Sequence, residues 1–228
     1  DISFTAGKGE TVALIGATGC GKSTVINLIP RFYDATEGTV SVDGVNVKDY
    51  SQKELRNKIG YVSQKATLFT GTIESNVAYG DNGQKNASET DIKKALDIAQ
   101  ASEFVDSLED GSKAYVAQGG SNFSGGQKQR MSIARAIARK PEILIFDDSF
   151  SALDYKTDRV LREALAKSCK DSTRIIVAQR IGTIRDADRI IVLEDGKIAG
   201  MGRHEELMRD CEVYRQIALS QLSKEELA

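Results

Sequence analysis

The sequence predicts an α/β protein built on a parallel sheet. Short runs rich in Val and Ile alternate with amphipathic helical runs along its 228 residues, the order expected when helices cover a parallel sheet. The Val and Ile runs are apolar at nearly every position, as expected for strands that are buried on both faces. A chain of this length forms one large domain or two lobes, and it can bury roughly 70% of its unfolded surface.

Each strand and helix is predicted from its own residue pattern. Strand character marks six segments: Thr11–Ile15, Thr39–Val42, Ile59–Ser63, Ile143–Phe146, Ile175–Ala178 and Ile190–Leu193. Helical character marks five segments: Lys22–Ile29, Ser51–Lys58, Ser88–Gln100, Gly125–Lys140 and Thr157–Cys169. Ser88 with Asp91 forms a capping start for the third helix. Strands nearly vanish between residues 72 and 140, which predicts a helical subdomain at 72–140 inserted into a core of 1–71 and 141–228.

The charge balance argues against nucleic-acid or membrane-surface binding. Lys and Arg total 31, Asp and Glu total 33, and the formal net charge is −2. No run of 18 apolar residues occurs, and the three cysteines are too scattered for a disulfide framework or a zinc site. A set of basic residues is expected to form a solvated helix face: Lys128, Arg130, Arg135, Arg139 and Lys140. The start in the middle of strand-like sequence leads us to expect a piece of a longer polypeptide.

A glycine-rich segment at 16–23 predicts a phosphate-binding loop. Its sequence, G-A-T-G-C-G-K-S, matches the pattern G-x-x-x-x-G-K-[ST], follows a strand and opens a helix. The glycines allow backbone N–H groups to turn inward as an anion nest, and the helix N-terminus adds partial positive charge. Lys22 supplies a charge for the terminal phosphates, and the Ser23 hydroxyl can ligate Mg²⁺. Cys20 occupies a position that needs no particular side-chain chemistry.

An apolar strand that ends in an acid is the second element of the predicted site. Ile143–Phe146 is followed by Asp147, which places a carboxylate at the C-terminal end of a buried strand, where open α/β sheets bind ligands. Together with the glycine-rich loop, this position predicts that Asp147 is a direct or indirect Mg²⁺ partner.

A second glycine motif, Phe123–Gln127, precedes a long predicted helix. Ser124 can cap this helix, and the two glycines expose N–H groups at its start. Here the sequence resembles the ATP-binding cassette (ABC) ATPases, whose signature reads L-S-G-G-Q. The resemblance covers nearly the whole chain, and the motifs follow one another in family order: the phosphate loop at Gly16–Ser23, Gln64, the signature at Phe123–Gln127, Asp147, and the D-loop at Ser151–Asp154.

The resemblance implies the fold, the cofactors and the site residues. The fold is that of the P-loop NTPases, a RecA-like parallel sheet core with an inserted helical subdomain that carries the signature. The cofactors are ATP and Mg²⁺. The residues implied to bind the nucleotide are Gly16, Thr18, Gly19, Cys20, Gly21, Lys22, Ser23, Thr24, Ser124, Gly125, Gly126 and Gln127. Those implied to contact Mg²⁺ are Ser23, Gln64 and Asp147, and the implied catalytic positions are Gln64, Asp148 and Gln179.

Finer features resemble the exporter branch of the family, namely Arg31–Tyr33, Leu68–Ile73 and Val116–Gly120. In that branch a transmembrane domain precedes the cassette in the same polypeptide. Two cassettes pack head to tail, and each ATP lies between one phosphate loop and the signature of the other cassette. The resemblance thus implies a second cassette as partner and a location on the cytoplasmic face of the cell membrane. The family's adenine-stacking residue would lie before residue 1, so none is assigned.

Two positions depart from the family pattern. The family places Glu directly after Asp147, where this chain has Asp148, and His after a late strand, where this chain has Gln179. Asp is one methylene shorter, and a misplacement of about 1 Å can lower a rate roughly 100-fold. Gln can still donate a hydrogen bond, but it carries no charge. Since every nucleotide-binding position is kept, we predict a slow, degenerate ATP site with an intact signature, in one half of a heterodimer.

Two alternatives stay open. One is a fully active homodimeric ATPase, in which Asp148 is a modest variation. The other is a regulatory or DNA-associated ABC protein without transport, against which the exporter-like segments and the balanced charge argue. The single histidine, His204, is expected in a loop that opens a surface helix, with no catalytic role.

Overall fold

The computed structural model describes residues 2–80, 83 and 87–221. Within these residues the strands are β1 (Thr11–Gly16), β2 (Ser41–Val42), β3 (Val45–Asn46), β4 (Ile59–Val62), β5 (Gly71–Thr72), β6 (Tyr115–Val116), β7 (Ile143–Asp147), β8 (Thr173–Val177), β9 (Arg189–Glu194) and β10 (Lys197–Gly202). The α-helices are α1 (Lys22–Asn27), α2 (Gln52–Asn57), α3 (Ile73–Val77), α4 (Glu89–Ile98), α5 (Ser102–Asp106), α6 (Gly125–Ala138), α7 (Tyr155–Ser168), α8 (Ile181–Ile184), α9 (His204–Asp210) and α10 (Glu212–Gln221).

The main sheet has six strands in the spatial order β10–β9–β1–β8–β7–β4. All neighbouring pairs are parallel except β10, which pairs antiparallel with β9 at one edge. Strand β1 lies inside the sheet, between β8 and β9. The carboxyl ends of β1, β7 and β8 therefore meet at one edge of the sheet, which is where ligands bind in such folds.

The parallel strands are buried on both faces, as their sequences predict. Along β1, Val12 and Leu14 belong to one core cluster, whereas Ala13 and Ile15 belong to the other. Helices α1 and α2 cover the first face, and α6 and α7 contribute to the second. This alternation follows from the two-residue period of a strand. It confirms the predicted α/β fold with a parallel sheet core.

Two parts of the strand prediction need correction. Thr39–Val42 contributes only Ser41–Val42, which pairs with Val45–Asn46 in a small separate hairpin. The turn residues Asp43 and Gly44 both have positive φ, 51° and 76°, and this tight turn folds the segment back on itself. The edge strand β10 was not predicted, because exposure on one face leaves it without a continuous apolar run.

Where the structure describes it, the region between residues 72 and 140 is mainly helical, and its strands there are the two-residue β5 and β6. Helix α6 packs against α3 and α4 and also against β4, so it joins this region to the sheet. The limits proposed for a separate subdomain stay a prediction. No helix among the described residues is long and apolar enough to cross a membrane.

The predicted solvated basic face of α6 is wrong for its arginines. Arg130 donates to the carbonyl oxygen of Gln100 at 2.7 Å, and Arg135 donates to that of Asn76 at 2.7 Å. Arg139 is also only partly exposed. These guanidinium groups satisfy backbone carbonyls of neighbouring segments, which a helical periodicity does not reveal.

Candidate nucleotide-binding and catalytic site

The glycine-rich loop connects the end of β1 to the start of α1. A Cβ atom at Gly16 would lie 2.0 Å from the carbonyl oxygen of Leu193, so the loop passes β9 too closely for any side chain. Gly21 caps α1 with a left-handed backbone, φ 101°. This conformation suits glycine and turns N–H groups toward the loop interior. Thr18, Gly19, Ser23 and Thr24 are exposed around the loop.

Lys22 spans this loop with its amine. Its Nζ atom donates to the carbonyl oxygens of Gly16 at 2.7 Å and Ala17 at 2.8 Å, and the residue is 8% exposed. The Sγ atom of Cys20 lies 3.6 Å from the same amine. Cys20 is therefore a buried neighbour of the lysine, a placement that the sequence did not predict.

Asp147 and Ser23 meet although 124 positions separate them in the chain. The Ser23 hydroxyl donates to Asp147 Oδ1 at 2.8 Å. The Tyr61 hydroxyl lies 3.1 Å from Asp147 Oδ2 and 2.9 Å from Asn27 Oδ1. Burial and the adjacent carboxylate raise the pKa of Tyr61 and keep it a proton donor. Tyr61 was missed, and its only sequence signal is a polar residue within the apolar strand β4.

The oxygen atoms of Ser23 and Asp147 suit a hard divalent cation. Mg²⁺ is held through one or two protein oxygens together with substrate phosphates, rather than in an all-protein cage. The described residues contain no group of three or more His, Cys, Asp or Glu side chains that could hold a metal.

Asp148 gathers the other two predicted catalytic residues. Its Oδ2 atom accepts hydrogen bonds from Gln64 Nε2 at 3.0 Å and Gln179 Nε2 at 2.7 Å. Burial raises the pKa of Asp148, and the hydrogen bonds from the two side-chain amides offset part of this increase. The backbone of Asp148 has φ 46°, in the left-handed region that Asp tolerates better than most residues. The structure thus brings Gln64, Asp148 and Gln179 together at the edge of the sheet.

The signature residues lie at the start of α6. Ser124 Oγ accepts from the Gln127 backbone N–H at 3.3 Å, and Gln127 Oε1 accepts from the Ser124 N–H at 2.9 Å. This reciprocal pair confirms the predicted cap. Gly125 is exposed, and a Cβ atom on Gly126 would lie 3.4 Å from the carbonyl oxygen of Ala152 in the D-loop. Within the described chain, the hydrogen bonds of Ser124 and Gln127 stay at this helix start and do not reach the phosphate loop.

Arg180, which sequence reasoning missed, ties the segment after β8 to the D-loop. It donates to the carbonyl oxygens of Leu153 at 3.0 Å and Ser151 at 3.1 Å. Its guanidinium also lies 4.8 Å from the centre of the Tyr155 ring. An arginine directly after the predicted catalytic position 179 was the available signal.

His204 contacts Tyr214 and is buried, whereas the sequence predicted a loop position at the start of a surface helix. It is 7% exposed, and its Nδ1 atom lies 2.8 Å from the Tyr214 hydroxyl. Burial, with a contribution from Arg185, lowers the pKa of His204, so the ring stays neutral near pH 7.

A cavity of about 510 Å³ lies beside the phosphate loop. Residues Gly16–Cys20 and Gln179 line one side, and α10 contributes Val213, Ile217 and Gln221. The cavity thus gives the phosphate loop and Gln179 an open space at the edge of the sheet.

Comparison with known proteins agrees with this geometry. A family model described as ABC transporter matches residues 1–151. An uncharacterised ABC transporter ATP-binding protein of Mycobacterium tuberculosis is 48% identical over 97% of this chain and 38% of that protein. ABC transporter B family member 21 of Arabidopsis thaliana is 46% identical over 95% of this chain and 16% of that protein. The solved structure of a bacterial Atm1-family ABC exporter with ATP bound matches with a TM-score of 0.89 and 36% identity, over 95% of this chain and 38% of that chain.

The chain spans less than two fifths of the length of these relatives, 38% at most. Its matched region contains the phosphate loop, the signature and the strand that ends in Asp147. On the strength of the family match and the sequence identity, the chain belongs to the ABC transporter family and carries its ATP-binding domain.

Proposed function

We propose that this chain is the cassette that binds and hydrolyses ATP to power an ABC exporter in the cell membrane. It would act at the cytoplasmic face, with a transmembrane domain upstream in the same polypeptide. The similarity to an Atm1-family exporter and to a B-family ABC transporter supports the exporter class. The observation that carries the proposal is the pairing of Ser23 with Asp147 beside the Lys22 loop, since this constellation serves phosphoryl transfer.

The chain's own residues divide the work between binding and activation. The loop N–H groups and Lys22 would bind the phosphates, and Ser23, Asp147 and Gln64 would hold Mg²⁺, which neutralises phosphate charge. Asp148 is the acceptor for a proton of the attacking water, and Gln64 and Gln179 orient its carboxylate. Gln179 would donate a hydrogen bond to the γ-phosphate.

We further propose that this chain's own ATP site is degenerate and that its signature serves a different chain. Both amides hold a single oxygen of the Asp148 side chain, which is one methylene shorter than Glu, and this supports a carboxylate that is poorly placed to reach the attacking water. Gln179 adds no positive charge where phosphate charge develops. By contrast, Ser124, Gly126 and Gln127 keep an intact helix start. The partner in the head-to-tail dimer would therefore supply the competent Glu and His.

A fully active homodimeric ATPase is the second candidate. One observation favours it: burial raises the pKa of Asp148, which makes this carboxylate a better proton acceptor than an ordinary Asp. The two candidates differ in which residues of this chain limit ATP hydrolysis. The degenerate-site proposal requires its signature, whereas the homodimeric candidate also requires its own Asp148.

The test is steady-state ATP hydrolysis by the transporter reconstituted with its partner chain. Under the degenerate-site proposal, Gln127→Ala abolishes most turnover because it disturbs the signature that faces the partner's ATP, whereas Asp148→Ala has a small effect. The chain alone should show near-background hydrolysis. If Asp148→Ala is as damaging as Gln127→Ala, or if the chain alone is fully active, this chain's own site is catalytic and the homodimeric candidate is correct.

A further inference from the structure

The last described residue of α10 grips the backbone beside Gln179. The Nε2 atom of Gln221 donates to the carbonyl oxygen of Gln179 at 2.8 Å, and its Oε1 atom accepts from the N–H of Ile181 at 2.9 Å. Arg180, between them, is extended, with φ −103° and ψ 128°. In an extended segment, the carbonyl of one residue and the N–H two positions later point to the same side. One side-chain amide therefore satisfies both groups at once.

The same three residues are held from a second direction by the D-loop. Arg180 donates to the carbonyls of Ser151 and Leu153, and Ile181 is fully buried at the start of α8. The Gln179 side chain is thus left exposed, with its amide on Asp148. Its orientation depends on a backbone that Gln221 and Arg180 fix from two sides.

The packing of helix α10 can hold Gln221 rigidly in the position where it makes these two hydrogen bonds. Tyr214 and Ala218 are both fully buried, and α10 packs against α8, α9, β9 and β10. Gln221 and Gln179 also line the same cavity of about 510 Å³ beside the phosphate loop. Helix α10, the two hydrogen bonds of Gln221 and the Gln179 side chain therefore form one connected set of contacts.

We propose that Gln221 is a positioning residue, through which α10 holds Gln179 in place to donate to the γ-phosphate. This inference rests on the proposed function, because it requires ATP in the site. A side chain that senses only the γ-phosphate distinguishes ATP from ADP. Loss of the two Gln221 hydrogen bonds should therefore weaken MgATP binding and leave MgADP binding unchanged.

The experiment compares MgATP and MgADP affinities by calorimetry on the 228-residue chain. Gln221→Met keeps the length of the side chain and removes both hydrogen bonds. It should weaken MgATP binding about threefold to tenfold, the range expected for the loss of hydrogen bonds, with MgADP affinity unchanged. Gln216→Met is the matched control, since Gln216 lies on the same helix and lines the same cavity but donates to Glu212 at 3.1 Å instead of the backbone beside Gln179.

A double-variant cycle with Gln179→Ala separates positioning from general stability. Once Gln179 is truncated, Gln221→Met should cause no further loss of preference for ATP over ADP. Three results would overturn this inference without affecting the proposed function. They are an unchanged preference for MgATP over MgADP in Gln221→Met, an equal loss of affinity for both nucleotides, and a full further loss of the ATP preference in the double variant. Failure of the unaltered chain to bind MgATP in a Lys22-dependent manner would overturn the proposed function as well.

Discussion

Lys22 is the residue on which nucleotide binding should depend most. Its amine already faces the carbonyls of its own loop, and phosphates approaching the nest would meet it at the loop mouth. We expect Lys22→Ala to weaken MgATP binding about tenfold to a hundredfold, the range for loss of charge-assisted hydrogen bonds, while the fold persists. Calorimetry measures the affinity, and circular dichroism checks the fold. Lys93→Ala, an exposed lysine on α4, is the control. Equal affinities in all three proteins would refute the phosphate-loop assignment.

At the scale of elements, two helices begin with the same capping arrangement but differ in predicted role. Ser88 pairs with Asp91 at the start of α4, and Ser124 pairs with Gln127 at the start of α6. Ser88→Ala and Ser124→Ala should each lower the free energy of unfolding by about 1 kcal/mol, or roughly 2–4 °C in melting temperature. Only Ser124→Ala should also reduce ATP hydrolysis by the assembled transporter, because Ser124 belongs to the signature. Equal losses of hydrolysis would mean that helix stability, not the signature, is responsible.

The packing of α9 on α10 makes stability depend on pH through His204. Burial lowers the pKa of His204 in the folded chain, whereas the unfolded chain has the ordinary value of about 6.5. Below that pH the unfolded chain binds a proton that the folded chain does not, so stability is full above about pH 6.5 and falls as the pH drops. Asp186 and Glu205 oppose this shift, and Arg185 reinforces it.

Thermal unfolding at pH 7.5 and pH 5.5 tests this dependence. His204→Asn should be less stable than the unaltered chain at pH 7.5, and the difference should narrow at pH 5.5. Tyr214→Phe removes the hydroxyl 2.8 Å from Nδ1 but keeps the titrating His204 ring, so the stability of this variant should depend on pH as that of the unaltered chain does. A difference that is constant with pH in His204→Asn would show that His204 titrates alike in both states.

At the scale of the whole molecule, the two ATP sites of the proposed dimer can be separated by variants in this chain. Gln127→Ala should inactivate the partner's site, so the ATP hydrolysis that remains in this variant measures the activity of this chain's own site. Adding Asp148→Glu and Gln179→His together should raise this remaining hydrolysis. Each substitution alone should raise it less, because the two groups act as a unit. Asp148→Asn, which removes the carboxylate charge at constant size, should not raise it.

This restoration is measured as steady-state hydrolysis by the reconstituted pair, with melting temperatures recorded alongside. The left-handed backbone at position 148 tolerates Asp better than Glu, so some loss of stability is expected. A double variant that folds and still shows no gain, opposite a partner with an intact signature, would mean that residues 148 and 179 do not limit turnover.

The local features of this protein follow from its amino-acid sequence alone. The phosphate loop, the caps at Ser88 and Ser124 and the apolar strand before Asp147 each depend on neighbouring residues, and their residue types restrict the backbone directly. The parallel core was predictable for the same reason, since a strand buried on both faces must be apolar throughout. Family motifs then placed Gln64, Asp148 and Gln179 on the list of catalytic candidates.

Contacts between side chains that are distant in the sequence depend on the tertiary structure. Gln64 and Gln179 reach Asp148 across 84 and 31 positions, and Gln221 reaches the Gln179 carbonyl across 42. Tyr61 meets Asp147 across 86 positions. Such contacts arise where parallel strands and a returning helix converge at one edge of the sheet. No local pattern encodes them, because each partner is an ordinary polar residue until the sheet order sets its neighbours.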